Sequence, residues 1–481
     1  MSETSLKTKT AKGLFWGAMN NGLQQLIGAV LGIVLLGCLT PGDYGIVGKL
    51  AIFTAIAVTM QEGGFKAALI NRGEIRHEDH NSVFWLTIAV SACLYLILFF
   101  LAGPIARFYH QPELVKVARV LFLSFFFVSC SISSDAYLLR RLMIRQRAAM
   151  DITGAVVAGI VAVIMAVRGF GYWALVAHSV VQSAATSLMK VALTPWKPSF
   201  KINFKPVREM LSFGLRLVGA SFVTQIQTNI FSVILGRAYR LYSNDDVGYY
   251  TQGSKWASMA SQVFTGMTTS VGQPVMASAQ SDTVRRGAIF RKLTRFVAFA
   301  AFPAMLGLGL VAPEFFGIIN TKFLPAIPIL RLYCLYYMAT LVQTLFNQAA
   351  MAAGRSDRYL AFTLINAAMQ IATAFFTYRH GLVTMAASVT AVNYLAVIVW
   401  WLLARDIIGV SFIDLLKDTV PFFAIALLLV VAAHFAFAGI PGDWLRLLVK
   451  IVFVAGIYLA ATSRTKTFCD AFTFIKKRQL E

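Results

Sequence analysis

Long apolar runs separated by short polar ones fill the chain from end to end. A helix that crosses a bilayer needs about 20 mostly apolar residues. Fourteen runs come near or exceed that length: Leu14–Leu39, Tyr44–Phe65, Ser82–Ala102, Val117–Leu138, Ile152–Val167, Tyr172–Leu193, Met210–Gly236, Gly253–Ser278, Phe296–Val311, Ile327–Ala353, Tyr359–Phe376, Val383–Ala404, Thr419–Ala438 and Leu445–Thr462. The pattern predicts an all-α polytopic membrane protein with 14 transmembrane helices. The fifth run is short. The eighth is interrupted by Gln262, Thr265, Thr268, Thr269, Ser270 and Gln273, and the second carries Lys49, Thr54, Thr59 and Glu62.

The stretch from Trp16 to Gly45 recurs a little over two hundred residues later, from Val218 to Gly248. Asp43 and Asp246, Gly45 and Gly248, and Gln24 and Gln227 match at one offset. The first copy places Asn20, Asn21, Gln24 and Gln25 on one arc of its helix and ends in the polar turn Leu39-Thr-Pro-Gly-Asp-Tyr-Gly45. The second carries Gln225, Gln227, Thr228 and Asn229, then turns at Asn244-Asp-Asp-Val-Gly248. Further along, Ala118-Arg-Val-Leu121 resembles Leu330-Arg-Leu-Tyr333, and Arg147 matches Arg358. These matches predict two six-helix lobes, residues 1–200 and 201–404. Two added helices and a basic cytoplasmic tail fill 405–481. An even number of spans per lobe gives both lobes one orientation, so their pseudo-two-fold axis should lie along the membrane normal.

Composition agrees. Only 13% of the 481 residues are charged, about half the fraction of a soluble globular protein, and the mean hydropathy is +0.69. The net charge of +22 would fit nucleic acid if the basic residues shared one soluble face. They lie between apolar runs instead, which argues against that partner. With the N-terminus inside, the inward segments hold more than twice as many Lys and Arg as the outward ones. That is the positive-inside pattern, and it places both termini in the cytoplasm. The basic stretch Met1–Lys12 leads into a long first span without a small-residue cleavage site, and reads as an uncleaved signal anchor. The five cysteines show neither a CxxC nor a Cys/His spacing, so neither a disulfide framework nor a metal site is indicated.

Amides inside a span are expensive in hydrocarbon and should face protein or water. Asn20, Asn21, Gln24, Gln25, Gln225, Gln227 and Asn229 are therefore candidates for lining a wet cavity. Interhelical hydrogen bonding is the competing account for each amide taken singly. Lys49 and Arg216 could supply a cationic lining for an anionic group such as a pyrophosphate, or snorkel to their interfaces. Glu62 and Lys66 stand four apart. They read as an i,i+4 ion pair or as a gate and coupling pair, Glu62 being the acidic residue nearest to membrane depth. Arg140–Arg147 and Arg285–Arg295 read as topology signals that can also gather anionic headgroups. Pro104, Pro274, Pro303, Pro313 and Pro421 predict kinks or helix ends. No GxGxxG, GxxxxGK, HExxH or GxSxG occurs and no outer loop is long, which argues against an enzyme.

At Leu39-Thr-Pro-Gly-Asp-Tyr-Gly45 the chain resembles the polysaccharide-transporter branch of the multidrug/oligosaccharidyl-lipid/polysaccharide (MOP) exporter superfamily, the Wzx-type flippases, and most of all the colanic-acid-exporter type. The likeness continues at Gly64-Phe-Lys-Ala-Ala-Leu-Ile-Asn-Arg72, Ser82-Val-Phe-Trp-Leu86, Gly169-Phe-Gly-Tyr-Trp-Ala-Leu-Val176, Leu235-Gly-Arg237 and Asp246-Val-Gly-Tyr-Tyr250. It covers nearly the whole chain. Lys66 departs from it, standing where the family tends to be small and uncharged. The resemblance implies a MATE-like fold whose first, second, seventh and eighth helices line a central cavity. It implies an undecaprenyl-pyrophosphate-type lipid-linked oligosaccharide as substrate, moved from the inner to the outer leaflet of a bacterial cytoplasmic membrane, among membrane lipids and without a cofactor. Coupling to a proton or sodium gradient, and partnership with a polysaccharide polymerase or export machinery, stay open. So do two rival readings: an ion-coupled small-molecule exporter of the same fold, and an accessory subunit of a polysaccharide-synthesis complex.

Overall fold

The computed structural model describes residues 3–62, 69, 76–200, 222–279, 282–465 and 467–468. Within its helices the side chains of 3–18, 21, 61, 62, 270, 271, 273 and 274 are left out. Among the described residues the secondary structure is helical throughout, with no strand. Two compact units divide the chain, Met1–Gly248 and Tyr249–Glu481. The lobe boundary read from the repeat, between 200 and 201, falls at the edge of 201–221, which lie outside the described residues.

In the first unit the helices are α1 (Glu3–Cys38), α2 (Pro41–Gly48), α3 (Ala51–Glu62), α4 (His77–Tyr109), α5 (Leu114–Leu121), α6 (Leu123–Arg140), α7 (Ile144–Val167), α8 (Tyr172–Leu193) and α9 (222–237). α10 (Asn244–Ala277) begins there and runs on into the second unit. That unit continues with α11 (Thr283–Leu310), α12 (Ala312–Ile319), a 3-10 turn (Thr321–Ala326), α13 (Ile327–Ala352), α14 (Ser356–Thr377), α15 (Leu382–Ile408), α16 (Phe412–Ala436) and α17 (Asp443–Thr462).

Nine described helices are long and apolar enough to cross a membrane. The pair α2 and α3, bent by 43°, makes a tenth if counted as one span. Their outward faces are apolar: Phe100, Val167, Phe376 and Phe435 are each at least 70% exposed. In water such a surface would aggregate, and in lipid it is the solvated face.

Helices outrun the apolar runs that announced them. The fifth run begins at Ile152, but α7 starts eight residues earlier and takes in Arg145, Arg147 and Asp151. α11 starts at Thr283 behind an Asp282 cap, whose Oδ1 accepts the Arg285 N–H at 2.9 Å. Hydropathy finds the part of a helix that lies in lipid, and capping and ion pairs carry the backbone beyond it.

Pairing repeats within the two units. α4 packs on α6, α6 on α8 and α7 on α8 in the first; α11 packs on α13, α13 on α15 and α14 on α15 in the second. The final pair is fixed to the second unit, with α16 on α11 and α17 on α16. Pro303 inside α11 leaves the carbonyl of Phe299 without its helical donor. The Tyr458 hydroxyl of α17 donates to that carbonyl at 2.9 Å. Lys450 of α17 also pairs with Glu314 of α12 at 2.5 Å, both side chains almost fully buried.

Candidate functional site

The repeated turn builds two matching helix starts. At α2, the Thr40 Oγ1 accepts the Asp43 N–H (3.3 Å), and Asp43 Oδ2 accepts the Thr40 N–H (2.9 Å) and hydroxyl (2.7 Å). At the head of α10, Ser243 Oγ accepts the Asp246 N–H (3.2 Å), and Asp246 Oδ2 accepts the Ser243 N–H and hydroxyl (2.8 Å each). Both are reciprocal capping boxes, with Asp in place of the commoner Glu.

The two turns touch within the first unit. A Cβ on Gly45 would overlap the Asn244 carbonyl oxygen, and one on Gly248 would overlap that of Pro41. Pro41 and Asn244 are repeat partners, so the contact is reciprocal. Only glycine permits so close a backbone approach. Gly171, at φ +55°, closes on the same turn, where a Cβ would lie 2.7 Å from Asp43 Oδ1.

Lys49 sits in the break between α2 and α3 and is 2% exposed. Its Nζ donates to Asn244 Oδ1 (2.6 Å) and Gln111 Oε1 (3.0 Å), and Gln111 Nε2 donates to the same Asn244 oxygen (2.7 Å). The Tyr109 hydroxyl holds the Lys49 carbonyl (3.0 Å). Lys49 thus ties the turn after α4 to the head of α10. His110 orients that turn in the left-handed region, φ 55°, with its ring stacked on Tyr239 at 4.1 Å.

The amide stripe of α1 leads to a different place. Asn20 is buried and accepts from Gln24 Nε2 at 3.3 Å. Gln24 in turn lines a cavity of about 270 Å³ together with Ser131, Gln182 and a charged quartet. Lys190 Nζ of α8 bridges Asp135 of α6 (2.7 Å) and Asp151 of α7 (2.8 Å), and Arg147 Nε of α7 reaches Asp135 at 2.7 Å. Asp135 and Lys190 are buried; the Arg147 side chain is a quarter exposed. Two carboxylates and two cations balance, so the quartet carries no net formal charge.

The second unit fills the matching position differently. At the separation that relates Arg147 to Arg358, Asp135 and Asp151 correspond to Phe346 of α13 and Phe362 of α14, and Lys190 falls on Trp401, next to Trp400 of α15. Trp400 stacks on Phe362 (4.6 Å) and Phe346 (5.9 Å). The same three-helix junction holds charges in one unit and aromatic rings in the other. Nearby, Gln343, Gln370 and Asn393 join α13, α14 and α15 through bonds of 3.0 and 3.2 Å to Asn393 Oδ1. They serve as interhelical glue.

The other predicted residues separate. Gln25, Gln225 and Gln227 are half-buried, and the Asn229 amide donates to the Gln225 carbonyl of its own helix (3.0 Å). Glu62 is the last residue of α3, but its side chain and that of Asn21 lie outside the described residues, as do Lys66 and Arg216 entirely. The apolar pattern points to Glu62 and not to Asp135 or Asp151. The available signal was Asp135 itself, an acidic residue inside the fourth apolar run.

The fold is similar to a lipid II flippase MurJ in an inward closed conformation, with a TM-score of 0.75 and 14% identity over 94% of this chain and 98% of that one. It is also similar to an inward-facing MATE-family transporter of the MOP superfamily, with a TM-score of 0.67 and 17% identity over 80% and 94% of the two chains. Residues 34–328 match the model of a polysaccharide biosynthesis protein family, and the chain belongs to that family. Among its relatives are the lipopolysaccharide biosynthesis protein WzxC of Escherichia coli K12, 24% identical over 75% of this chain and 73% of that protein, and the succinoglycan biosynthesis transport protein ExoT of Rhizobium meliloti, 25% identical over 63% and 61%. The teichuronic acid biosynthesis protein TuaB of Bacillus subtilis is 24% identical over 64% of each chain.

Proposed function

We propose that this chain is a flippase, not an enzyme. It carries a polyprenyl-pyrophosphate-linked oligosaccharide from the inner to the outer leaflet of the bacterial cytoplasmic membrane, for assembly of a surface polysaccharide. One observation carries the reading: an amide- and hydroxyl-lined cavity among α1, α6, α7 and α8, walled by Gln24, Ser131, Gln182 and the Asp135–Arg147–Asp151–Lys190 quartet. Amides and hydroxyls suit sugar, and the partly exposed Arg147 guanidinium suits a pyrophosphate oxygen pair. Relatives named for polysaccharide biosynthesis and transport support the same substrate class.

In this reading fourteen spans form two six-helix lobes about a pseudo-two-fold axis, with α16 and α17 added and both termini in the cytoplasm. The shared helix pairing of the two units and the twin capping boxes support it. Transport proceeds by alternating access. The Gly45–Gly248 contact and the Lys49 bridge form a seal that opens and closes. Arg216 draws in the pyrophosphate, and Glu62 and Lys66 act at the opposite end of their span. Coupling to protons or sodium falls first to Asp135 and Asp151.

The test uses purified protein in liposomes carrying a fluorescent polyprenyl-pyrophosphate oligosaccharide in both leaflets. An impermeant reductant is added outside. Flipping destroys the protection of the inner-leaflet label in intact vesicles. Unchanged protection, with and without an imposed proton or sodium gradient, would overturn the reading in favour of a small-molecule exporter or an accessory subunit.

A further inference from the structure

The first unit holds a second, larger cavity of about 600 Å³, apart from the one at Gln24. It opens where the start of α4, the end of α6 and the segment after α8 meet. Arg76, Arg140 and Arg141 line it, and none of the described lining residues is acidic. His77, His80 and Trp196 form its wall. Two carboxylates, Glu78 and Asp79, stand in the first turn of α4 beside it, and Asp79 accepts the Arg76 backbone N–H at 2.9 Å.

Two wall residues are unsatisfied. His80 and Trp196 are each 5% exposed, yet His80 Nδ1 and Trp196 Nε1 have no hydrogen-bond partner. A buried indole N–H is a donor only, and native structures rarely leave one unmet. The rings are held in place: His80 lies 5.7 Å from both Tyr137 and Trp196, and the Arg141 guanidinium sits 5.6 Å from the Tyr137 ring. Arginines that serve only to orient a membrane protein need no cavity and no orphaned donors.

We propose that this cavity binds a phosphate-type oxyanion, with Arg140 and Arg141 neutralising it and Trp196 Nε1–H donating to its oxygens. The charge pattern assigns this end of the helices to the cytoplasm. Both a soluble phosphate compound and the headgroup of an inner-leaflet phospholipid would reach it there. The volume admits a headgroup with room to spare. The inference stands whatever the chain transports, because binding is read directly.

The test takes the full chain in phosphatidylcholine nanodiscs and follows its thermal unfolding midpoint. One arm titrates inorganic pyrophosphate; the other replaces part of the phosphatidylcholine with phosphatidylglycerol. A saturable rise in either arm is expected, with Trp196→Phe and Arg141→Gln each requiring at least tenfold more ligand. Trp196→Phe keeps an aromatic ring and removes the N–H; Arg141 is exposed, so Arg141→Gln keeps the test valid should the first variant fail to fold. A rise in the pyrophosphate arm alone assigns a soluble oxyanion, and one in the phosphatidylglycerol arm alone assigns a lipid headgroup. No rise in either arm, or a rise that both variants leave unchanged, overturns the proposal.

Discussion

Gly45 and Gly248 each press on the backbone carbonyl that opens the other's turn, Gly45 on Asn244 and Gly248 on Pro41. The contact is its own mirror under the repeat, so either glycine is equally exposed to replacement. A methyl group at either place must push two helix starts apart, because the atom it meets is backbone and cannot rotate away. Gly45→Ala and Gly248→Ala are each expected to abolish export while the protein remains in the membrane. Gly103→Ala, where a Cβ meets nothing within 4 Å, should leave export unchanged. Export assays with immunoblotted membrane levels decide the matter; normal export from Gly45→Ala would remove the contact from the mechanism.

Lys49 supports the same contact from one side. Hydrogen bonds to a charged group contribute roughly 1.5–3 kcal/mol each, and this ammonium makes two, to Asn244 and Gln111. If Lys49 acts by holding these amides, Asn244→Ala and Gln111→Ala should impair export as Lys49→Ala does. Each should also lower the thermal midpoint of the purified protein. If Lys49 instead attracts a pyrophosphate, only Lys49→Ala should raise the substrate concentration needed for half-maximal flipping in liposomes.

The turns were legible in the chain and their meeting was not. Asp43, Gly45, Asp246 and Gly248 stood out because a capping aspartate and a glycine recur at one offset, and local structure of that kind is written locally. That Gly45 faces Asn244 depends on how distant segments pack. Gln24 was found because an amide is conspicuous in an apolar run. Asp135 was equally conspicuous but its partners Arg147, Asp151 and Lys190 lay at span ends, where charges are ordinary. What makes them a site is the convergence of α6, α7 and α8, and no spacing along one helix encodes it.

The quartet offers a way to separate stability from transport. Removing one partner of a buried ion pair costs about 3–5 kcal/mol, because the remaining charge is left uncompensated. Asp135→Asn should therefore lower the thermal midpoint sharply, leaving Lys190 and Arg147 facing Asp151 alone. Combining it with Lys190→Met restores charge balance and should recover most of the lost stability. If the quartet works in transport, the double variant regains its midpoint and still fails to flip substrate. Recovery of both together would make the quartet a structural tie.

The last two helices meet the second unit through side chains that only a folded, docked pair would bury. Glu314 and Lys450 are 1% and 4% exposed at the side chain and stand 2.5 Å apart. Tyr458 supplies the donor that Pro303 took from the Phe299 carbonyl. In lipid no water can replace either partner. Lys450→Met leaves Glu314 buried with Arg446, at 4.0 Å, as its remaining cation among the described residues. A loss of about 3–5 kcal/mol follows from the isolated carboxylate. Tyr458→Phe should lose about 1–3 kcal/mol from the unsatisfied carbonyl. Glu314→Gln combined with Lys450→Met removes both charges and should restore most of the midpoint. Thermal unfolding of the three variants and the parent chain in one detergent checks this; a midpoint indifferent to Lys450→Met would mean that α17 is not held to α12 by this pair.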